Sequence, residues 1–118
     1  MAEYRLSPAA ERDLELIWTY TVRQWGVEQA DRYLDFLVAA FDKLADSPKT
    51  APSCEFIRQG YRRWGVERHM IYFRITNYGI VIVRVLHERM DASRHLKFKM
   101  KRWLPSIESQ EFGLLRPC

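Results

Sequence analysis

The sequence predicts an α+β fold in which a helix hairpin packs on one face of a small, largely antiparallel β-sheet. Two amphipathic helical segments follow each other with only a few residues between them. Two strongly β-prone segments then flank an Asn-Tyr-Gly turn at residues 77–79. A short alternating segment precedes the first helix. The predicted order of elements is therefore β-α-α-β-β-β.

The first strand and the first helix meet at a capping signal. Residues 4–6 alternate as a short strand does. Ser7 is a favourable N-cap, and Pro8 suits the first helical position because its missing N–H would have no partner there. One stripe of residues then recurs at helical spacing up to Gly26, a natural stop. It consists of Ala10, Leu14, Ile17, Trp18, Thr21 and Trp25.

The second helix is predicted from about Glu28 to Ala45, and it ends at the Asp-Ser-Pro sequence of residues 46–48. Its apolar stripe contains Ala30, Tyr33, Leu34, Leu37, Val38, Phe41 and Leu44. The short link indicates that the two helices form an antiparallel hairpin. Four aromatic residues of the hairpin are interpreted as core and not as a binding site: Trp18, Trp25, Tyr33 and Phe41.

The second half of the chain supplies the rest of the sheet. Residues 54–64 contain one strand that is interrupted or bent near Gly60, and residues 66–76 and 80–86 form the strongest strands. A three-residue loop predicts the pairs Thr76–Ile80, Arg74–Ile82, Tyr72–Arg84 and Met70–Leu86. The helix-facing side is then wholly apolar: Ile71, Phe73, Ile75, Val81, Val83 and Val85. The even-numbered side carries arginines among apolar residues, and we expect it to face a partner.

Composition limits the class of protein. A chain of 118 residues with 47% hydrophobic and 29% charged residues is expected to form a globular protein with one modest core. The apolar run at residues 80–83 is too short to cross a bilayer, and no signal peptide is expected. Cys54 and Cys118 lack the spacing of a zinc site. We therefore expect a cytoplasmic protein without a metal or cofactor.

Charge is distributed unevenly along the chain. Residues 1–60 contain 7 Lys and Arg against 10 Asp and Glu, whereas residues 61–118 contain 12 against 5, so the two parts carry −3 and +7. Such polarity favours an acidic partner for the second part, either protein or nucleic acid. A solvated, arginine-rich pair of strands explains the same pattern equally well.

Several motifs are more specific than composition. They are Tyr-Arg-Leu-Ser-Pro-Ala-Ala-Glu-Arg-Asp-Leu at 4–14, the helical segment 33–44 with Pro48, Arg-Gln-Gly-Tyr-Arg-Arg at 58–63, His-Met-Ile-Tyr-Phe-Arg at 69–74, and Val-Arg-Val-Leu-His-Glu-Arg-Met-Asp at 83–91 with Arg-His-Leu at 94–96. With the order of elements, they resemble the ParE family of the RelE/ParE toxin superfamily. The resemblance covers about residues 3–96, so we interpret residues 1–96 as one toxin domain and 97–118 as a C-terminal extension of unknown role.

The resemblance implies a type II toxin that a cognate, ParD-like antitoxin binds and neutralises in a hetero-oligomer. ParE-like toxins are understood to inhibit DNA gyrase by stabilising its cleaved-DNA complex, which blocks replication and requires no chemistry by the toxin. The candidates for gyrase contact are Arg58, Arg62, Arg84, His87, Arg89 and Arg94. The antitoxin-binding candidates are Met70, Tyr72, Arg74, Ile80, Ile82 and Leu86.

The helix hairpin offers further apolar area to an antitoxin. A partner helix in a groove and a strand added at the sheet edge are the two docking modes that this architecture permits. We expect no membrane partner and no sequence-specific DNA binding by the toxin alone.

Other interpretations remain open. The RelE branch resembles ParE in fold but cleaves messenger RNA on the ribosome, which requires cations at the phosphate and groups that transfer protons. Those residue types are present: Arg62, Arg74, Arg84, His69, His87 and Tyr72. Because residues 91–95 resemble ParE, we favour the non-enzymatic interpretation. An interaction module without toxicity is a third possibility.

Single candidate residues also have structural explanations. Arg89 with Asp91, and Arg94 with Glu88, are spaced as local ion pairs of small energetic value. His87 and His95 are placed to cap turns.

Overall fold

Two helices lie on one face of a four-stranded sheet in the computed structural model, which describes residues 2–55 and 57–90. The elements are β1 (Glu3–Leu6), α1 (Pro8–Trp25), α2 (Val27–Asp46), a short 3-10 helix (Pro48–Thr50), β2 (Tyr61–Val66), β3 (His69–Ile75) and β4 (Gly79–His87). The strand order is β1-β4-β3-β2, with β1 parallel to β4 and the other neighbours antiparallel. The predicted α+β fold class is therefore confirmed. The proposed extension, residues 97–118, lies outside the described residues.

The helices begin and end close to where the sequence predicts. The Ser7 hydroxyl oxygen accepts a hydrogen bond from the Ala10 N–H at 3.0 Å and donates to the Val83 carbonyl at 2.8 Å, so the N-cap also ties α1 to β4. Gly26 separates the helices with φ +95°, a left-handed value that residues with a Cβ rarely adopt. With one residue between them, α1 and α2 fold back on each other as the predicted hairpin.

A β-bulge interrupts the pairing of β3 with β4. Tyr72 lies opposite Arg84, as predicted, but the next residue, Phe73, lies opposite Ile82. Val83 is therefore an extra residue in β4 that has no pairing partner in β3.

The bulge changes the register between itself and the turn. Two predicted pairs are consequently wrong by one residue: Thr76 with Ile80, and Arg74 with Ile82. The alternating pattern did not reveal this shift. Assigning faces by alternation assumes that each residue of one strand pairs with one residue of the other.

The core has two layers, one on each face of the sheet. The buried residues of the helix-side layer are Ala10, Ile17, Leu37, Phe41, Leu44, Ala45, Ala51, Ile71, Phe73, Ile80, Ile82 and Val85. The second layer lies on the opposite face, and its buried residues are Cys54, Ile57, Tyr61, Tyr72, Val83 and Leu86. Removal of this apolar area from water is the main force that holds the helices and the loop before β2 to the sheet.

The predicted division of the hairpin into a helix-facing and a partner-facing side is wrong for most of β4. Ile80 and Ile82 are predicted to face outward, yet both are 0% exposed beneath the helices. Val81 and Val83 are predicted to face the helices, yet both pack in the second layer, and Ile75 is exposed. The remaining predicted helix-facing residues do join the helix-side layer: Ile71, Phe73 and Val85.

The strand boundaries around residues 60 and 67 differ in part from those predicted. β2 begins only at Tyr61, and the segment before it forms turns with an isolated bridge between Ser53 and Arg62. A two-residue turn that includes Glu67, with φ +54°, separates β2 from β3. The predicted continuous strand from residue 66 is therefore wrong at its start.

Two tryptophans of the helix hairpin are not core residues, contrary to prediction. Trp18 is 38% exposed and Trp25 is 72% exposed, whereas Phe41 is fully buried and Tyr33 packs partly against the core. The helices therefore leave apolar area exposed. This area is not a membrane span, because no helix in the described ranges combines the length and apolarity that crossing a bilayer requires.

Candidate functional site

Asp13 and Arg84 form a buried ion pair between α1 and β4. Arg84 Nε donates to Asp13 Oδ2 at 2.7 Å and Nη2 donates to Oδ1 at 2.9 Å. The Val85 N–H also donates to Oδ2, at 2.9 Å. Both side chains are less than a tenth exposed. The prediction that Arg84 faces a partner is therefore wrong, because a carboxylate of the same chain holds its guanidinium.

Asp13 is a residue that the sequence analysis missed. It lies three residues after Ala10 and four before Ile17, and all three are buried on one side of α1. A carboxylate on a buried stripe requires a cation or several N–H donors. The sequence carries this signal, and it predicts a basic residue on a neighbouring strand.

The ion pair also closes the free edge of β4. β1 pairs with β4 only as far as Ile82. Beyond that point, the Ser7 hydroxyl binds the Val83 carbonyl and the Asp13 carboxylate binds the Val85 N–H. Side chains of α1 and its cap thus replace a neighbouring strand at this edge.

Two histidines meet at the far end of the β3–β4 hairpin. His69 and His87 are cross-strand partners with ring centroids 5.4 Å apart, and His69 Nδ1 lies 2.6 Å from the Tyr33 hydroxyl oxygen. Burial, and then the neighbouring His87, lower the pKa of His69 to about 4. The Tyr33 hydroxyl oxygen accepts a hydrogen bond from the Arg68 N–H at 3.3 Å. The hydroxyl proton of Tyr33 is therefore free to be donated to Nδ1 of the neutral His69 imidazole. His69 is thus an uncharged packing residue at neutral pH.

Two of the predicted gyrase-contact arginines lie at β2. Arg58 precedes the strand, and its guanidinium carbon lies 5.5 Å from the Tyr61 ring centroid. Arg62 Nη1 donates to the Ala51 carbonyl at 2.7 Å, so this side chain ties the strand to the preceding loop. Both arginines are partly exposed.

Two further described candidates for gyrase contact, His87 and Arg89, lie at the opposite end of the hairpin. His87 Nδ1 accepts the Arg89 N–H at 3.1 Å, which is the turn cap expected as its structural role, while Arg89 itself is exposed. The seven residues of β3 rise about 3.3 Å each, so roughly 20 Å separate this end from Arg58. Arg94 lies outside the described residues. The structure therefore does not bring the described candidates together at one site.

Most of the predicted antitoxin-binding residues are buried. Four are less than a tenth exposed: Tyr72, Ile80, Ile82 and Leu86. Met70 is partly buried against the second layer, and Arg74 is exposed. The expectation that the whole set faces a partner is wrong. The bulge turns Ile80 and Ile82 towards the helices, and the loop before β2 covers Tyr72 and Leu86.

An open groove of about 460 Å³ lies between α1 and α2. Its lining, which we call the helix groove, is Leu14, Glu15, Trp18, Thr19 and Leu34. Trp18 Nε1 donates across to Asp31 Oδ1 at 3.2 Å. Further apolar side chains of the same helices are exposed: Leu16, Tyr20, Trp25, Val27, Phe36 and Val38. So much exposed apolar area on two adjacent helices marks an interaction surface.

The groups that a ribonuclease would need are not assembled. Arg84 is held in its ion pair and Tyr72 is buried. His69 is neutral and packs beside the helices, whereas Arg74 is exposed on the opposite face of the sheet. Among the described residues, these four groups therefore do not converge on one substrate atom.

The described residues also lack a reactive thiol and a metal site. Cys54 is a free, fully buried cysteine, and burial raises the pKa of its thiol, so it is a poor nucleophile. Over residues 2–55 and 57–90, no group of three or more His, Cys, Asp or Glu side chains is placed to hold a metal ion.

The sequence matches a protein-family model from β1 to just beyond β4. The model describes the ParE toxin of the type II toxin-antitoxin system, parDE, and it matches residues 4–92. The chain belongs to the ParE toxin family. The family expected from the sequence motifs is thereby confirmed, and Asp13, Arg84 and the helix groove all lie within the matched part of this ParE toxin.

This ParE toxin is similar to toxins of several bacteria. Toxin ParE1 of Mycobacterium tuberculosis is 45% identical over 96 residues, which cover 80% of this chain and 98% of the relative. Toxin ParE1 of Caulobacter vibrioides is 42% identical over 96 residues, covering 81% and 99%. Toxin ParE of Escherichia coli is 32% identical over 103 residues, covering 86% and 99%. The similarity thus spans nearly the full length of each relative.

A solved structure supports the same fold. A chain from the chromosomal ParDE TA system of P. aeruginosa superposes with a TM-score of 0.65 at 21% sequence identity, covering 74% of this chain and 96% of that chain. At this identity the similarity concerns the fold alone.

Proposed function

We propose that this ParE toxin inhibits DNA gyrase by stabilising the cleaved-DNA complex, and that it blocks replication without performing chemistry itself. The observation that carries the proposal is the match to the ParE toxin family over residues 4–92. The dispersal of the ribonuclease-type groups favours binding over catalysis. A cytoplasmic location follows from such a target.

Inhibition of this kind requires only a difference in affinity. A toxin that binds the cleaved complex tenfold more tightly than the religated complex shifts the ratio of the two tenfold, which corresponds to about 1.4 kcal/mol. Guanidinium groups suit this task, because they bind phosphates and carboxylates in a bidentate manner. Arg58 and Arg89 are candidates at the two ends of the sheet, the first partly exposed and the second exposed.

In this proposal a cognate, ParD-like antitoxin neutralises the toxin by laying an amphipathic helix in the helix groove. The matching family model describes the toxin of the type II toxin-antitoxin system parDE, which supports an antitoxin partner. Strand addition has less backbone to bind along β4 and β2, and the short strand β1 (Glu3–Leu6) offers the remaining edge of the sheet. Ser7 and Asp13 occupy the β4 edge, and at the β2 edge the Arg63 N–H donates to the Pro52 carbonyl at 3.1 Å. A helix in the groove is therefore favoured over an added strand.

Purified toxin, added to gyrase with plasmid DNA and ATP, tests the target. We expect loss of supercoiling and accumulation of cleaved plasmid, both prevented when the toxin is first mixed with its antitoxin. Unchanged supercoiling and cleavage at saturating toxin would reject gyrase as the target.

A translating extract with a defined message, run in parallel, tests the ribonuclease alternative. Rapid cuts near codons that are lost in His87→Ala would favour that alternative. His87 is the better test residue than Arg84, because Arg84→Ala also breaks the buried ion pair.

A further inference from the structure

The cross-strand register aligns arginines on the sheet face opposite the helices. Arg5 of β1 lies opposite Val81 of β4, and Val81 lies opposite Arg74 of β3. Arg74 in turn lies opposite Tyr61 of β2, and Arg58 approaches the Tyr61 ring from beyond the strand. Cross-strand partners point to the same side of a sheet. Because Val81 and Tyr61 pack in the second layer, the whole row lies on that side.

A neighbouring position extends this row. Arg63 of β2 lies opposite Tyr72 of β3, which also packs in the second layer. We call the set of Arg5, Arg58, Arg63 and Arg74 the arginine face. Neighbouring strands are about 4.8 Å apart, so Arg5 and Arg74, two strands apart, are separated by roughly 10 Å at the backbone. The backbone positions of these arginines therefore form a strip across the sheet.

Among the described residues, the salt bridges place a carboxylate on Arg5, at one end of this strip. Glu3, on the same face of β1, pairs with Arg5 at 2.6 Å, and the Arg5 guanidinium lies 3.9 Å from the Tyr78 ring centroid. No carboxylate among the described residues forms an ion pair with Arg58 or Arg74. The arginine face is therefore cationic, on the side of the molecule away from the helix groove.

The chemistry of this face fits a phosphate backbone better than unpaired bases or an amphipathic protein. Tyr61 and Tyr72, the aromatic residues among the arginines, are 6% and 4% exposed, so neither offers a ring on which a base can stack. A protein partner of the usual kind needs exposed apolar anchors, and here most of those lie on the helices, while Trp64 and Ile75 of the strands have cross-strand partners in the helix-side layer. A flat row of guanidinium groups complements the evenly spaced charges of a duplex.

We propose that the arginine face binds the phosphate backbone of duplex DNA without sequence preference. This DNA binding is proposed for the isolated toxin, so it can be tested independently of whether gyrase is the target. In a gyrase complex it would place the toxin against the DNA as well as against the enzyme.

Fluorescence anisotropy of a short labelled duplex, titrated with the full-length toxin between about 50 and 200 mM salt, tests the proposal. Two to four guanidinium contacts predict that log K falls against log salt with a slope of about −2 to −4. The double variant Arg58→Gln/Arg74→Gln is expected to weaken binding about tenfold or more at low salt and to reduce the slope by about 2.

The matched control is Arg12→Gln/Arg32→Gln, which removes the same charge from exposed positions on the two helices. It is expected to change binding less than threefold. Equal weakening by both double variants would reveal a general charge effect and overturn the proposal, as would a wild-type toxin that does not bind the duplex. Displacement of the duplex by poly-glutamate at equal charge concentration would assign the face to an acidic protein instead. The same variants in the gyrase assay separate loss of DNA binding from failure of the gyrase proposal.

Discussion

Asp13 and Arg84, 71 residues apart in the sequence, bind each other through two hydrogen bonds in the interior of the molecule. Removing two such charges from water costs several kcal/mol for each ion, and only good geometry with additional donors offsets that cost. The bidentate contact and the Val85 N–H provide this geometry. The pair therefore specifies how α1 meets β4 more than it adds to the net free energy of folding.

Replacement of Asp13 alone is expected to be severe. Asp13→Ala leaves Arg84 buried without its counter-ion, and we expect the free energy of unfolding to fall by about 3–5 kcal/mol. The double variant Asp13→Leu/Arg84→Met removes both charges, so it should recover much of the lost free energy of unfolding. It also removes Arg84 Nη1, which is buried without a hydrogen-bond partner among the described residues. Urea unfolding of both variants measures this difference. A double variant no more stable than the single variant would contradict the interpretation.

His69 is expected to make the toxin less stable in acid. Burial lowers the pKa of His69 from 6.5 to about 4, so between these pH values the unfolded chain binds a proton that the folded chain does not. The stability that depends on neutral His69 is fully present above pH 6.5. Between pH 6.5 and about 4, the free energy of unfolding falls by roughly 1 kcal/mol per pH unit, after allowance for the partial exposure of the side chain. Urea midpoints of the wild type and of His69→Gln should diverge over this interval. Parallel pH profiles would show that the imidazole does not titrate as described.

The helix groove predicts which tryptophan an antitoxin covers. Trp18 lines the groove and Trp64 lies on β2, and they are 38% and 40% exposed, so they form a matched pair. Trp18→Ala is expected to weaken antitoxin binding at least tenfold, or about 1.4 kcal/mol, and Trp64→Ala to leave it nearly unchanged. Isothermal titration calorimetry with the cognate antitoxin measures both. A larger loss for Trp64→Ala would place the antitoxin on the sheet.

Two glycines of the sheet should respond differently to alanine. Gly79 begins β4 with φ +149°, and a Cβ there would overlap the Glu3 carbonyl oxygen of β1. Gly79→Ala is expected to lower the free energy of unfolding by about 2–4 kcal/mol through strain and displacement of β1. At Gly65 the nearest atom to a new Cβ is Met70 Cε at 3.7 Å, an ordinary contact, so Gly65→Ala serves as the control. Thermal unfolding by circular dichroism compares them, and equal midpoints would contradict the prediction.

The helices and the fold class could be predicted from the sequence because their signals are local. Ser7 and Pro8 start α1, and Gly26 ends it, each through its own backbone chemistry. Periodicity then identified most of α2 correctly, since Leu37 and Phe41 are fully buried. The motifs that resemble the ParE family needed no knowledge of side-chain positions.

The candidate site was harder to predict, because its geometry depends on pairings between distant residues. One extra residue, Val83, inverts which residues of β4 face the helices, and alternation does not reveal such a bulge. Arg84 looks like a surface arginine until Asp13 is placed beside it. Trp18 looks like core because its helical position is apolar, and only the packing shows that it borders a groove.

The strand that completes the sheet is the last one to be synthesised among those described. β4 lies between β1 and β3, so β1 has no neighbouring strand until residues 79–87 are available. A nascent chain can form its two helices and the β2–β3 hairpin early, but these parts remain unjoined. Contacts between residues so far apart in the sequence form slowly in folding. A growing polypeptide therefore stays structurally incomplete until nearly all of these residues have emerged from the exit tunnel. If toxicity requires the finished fold, the nascent chain is harmless until then.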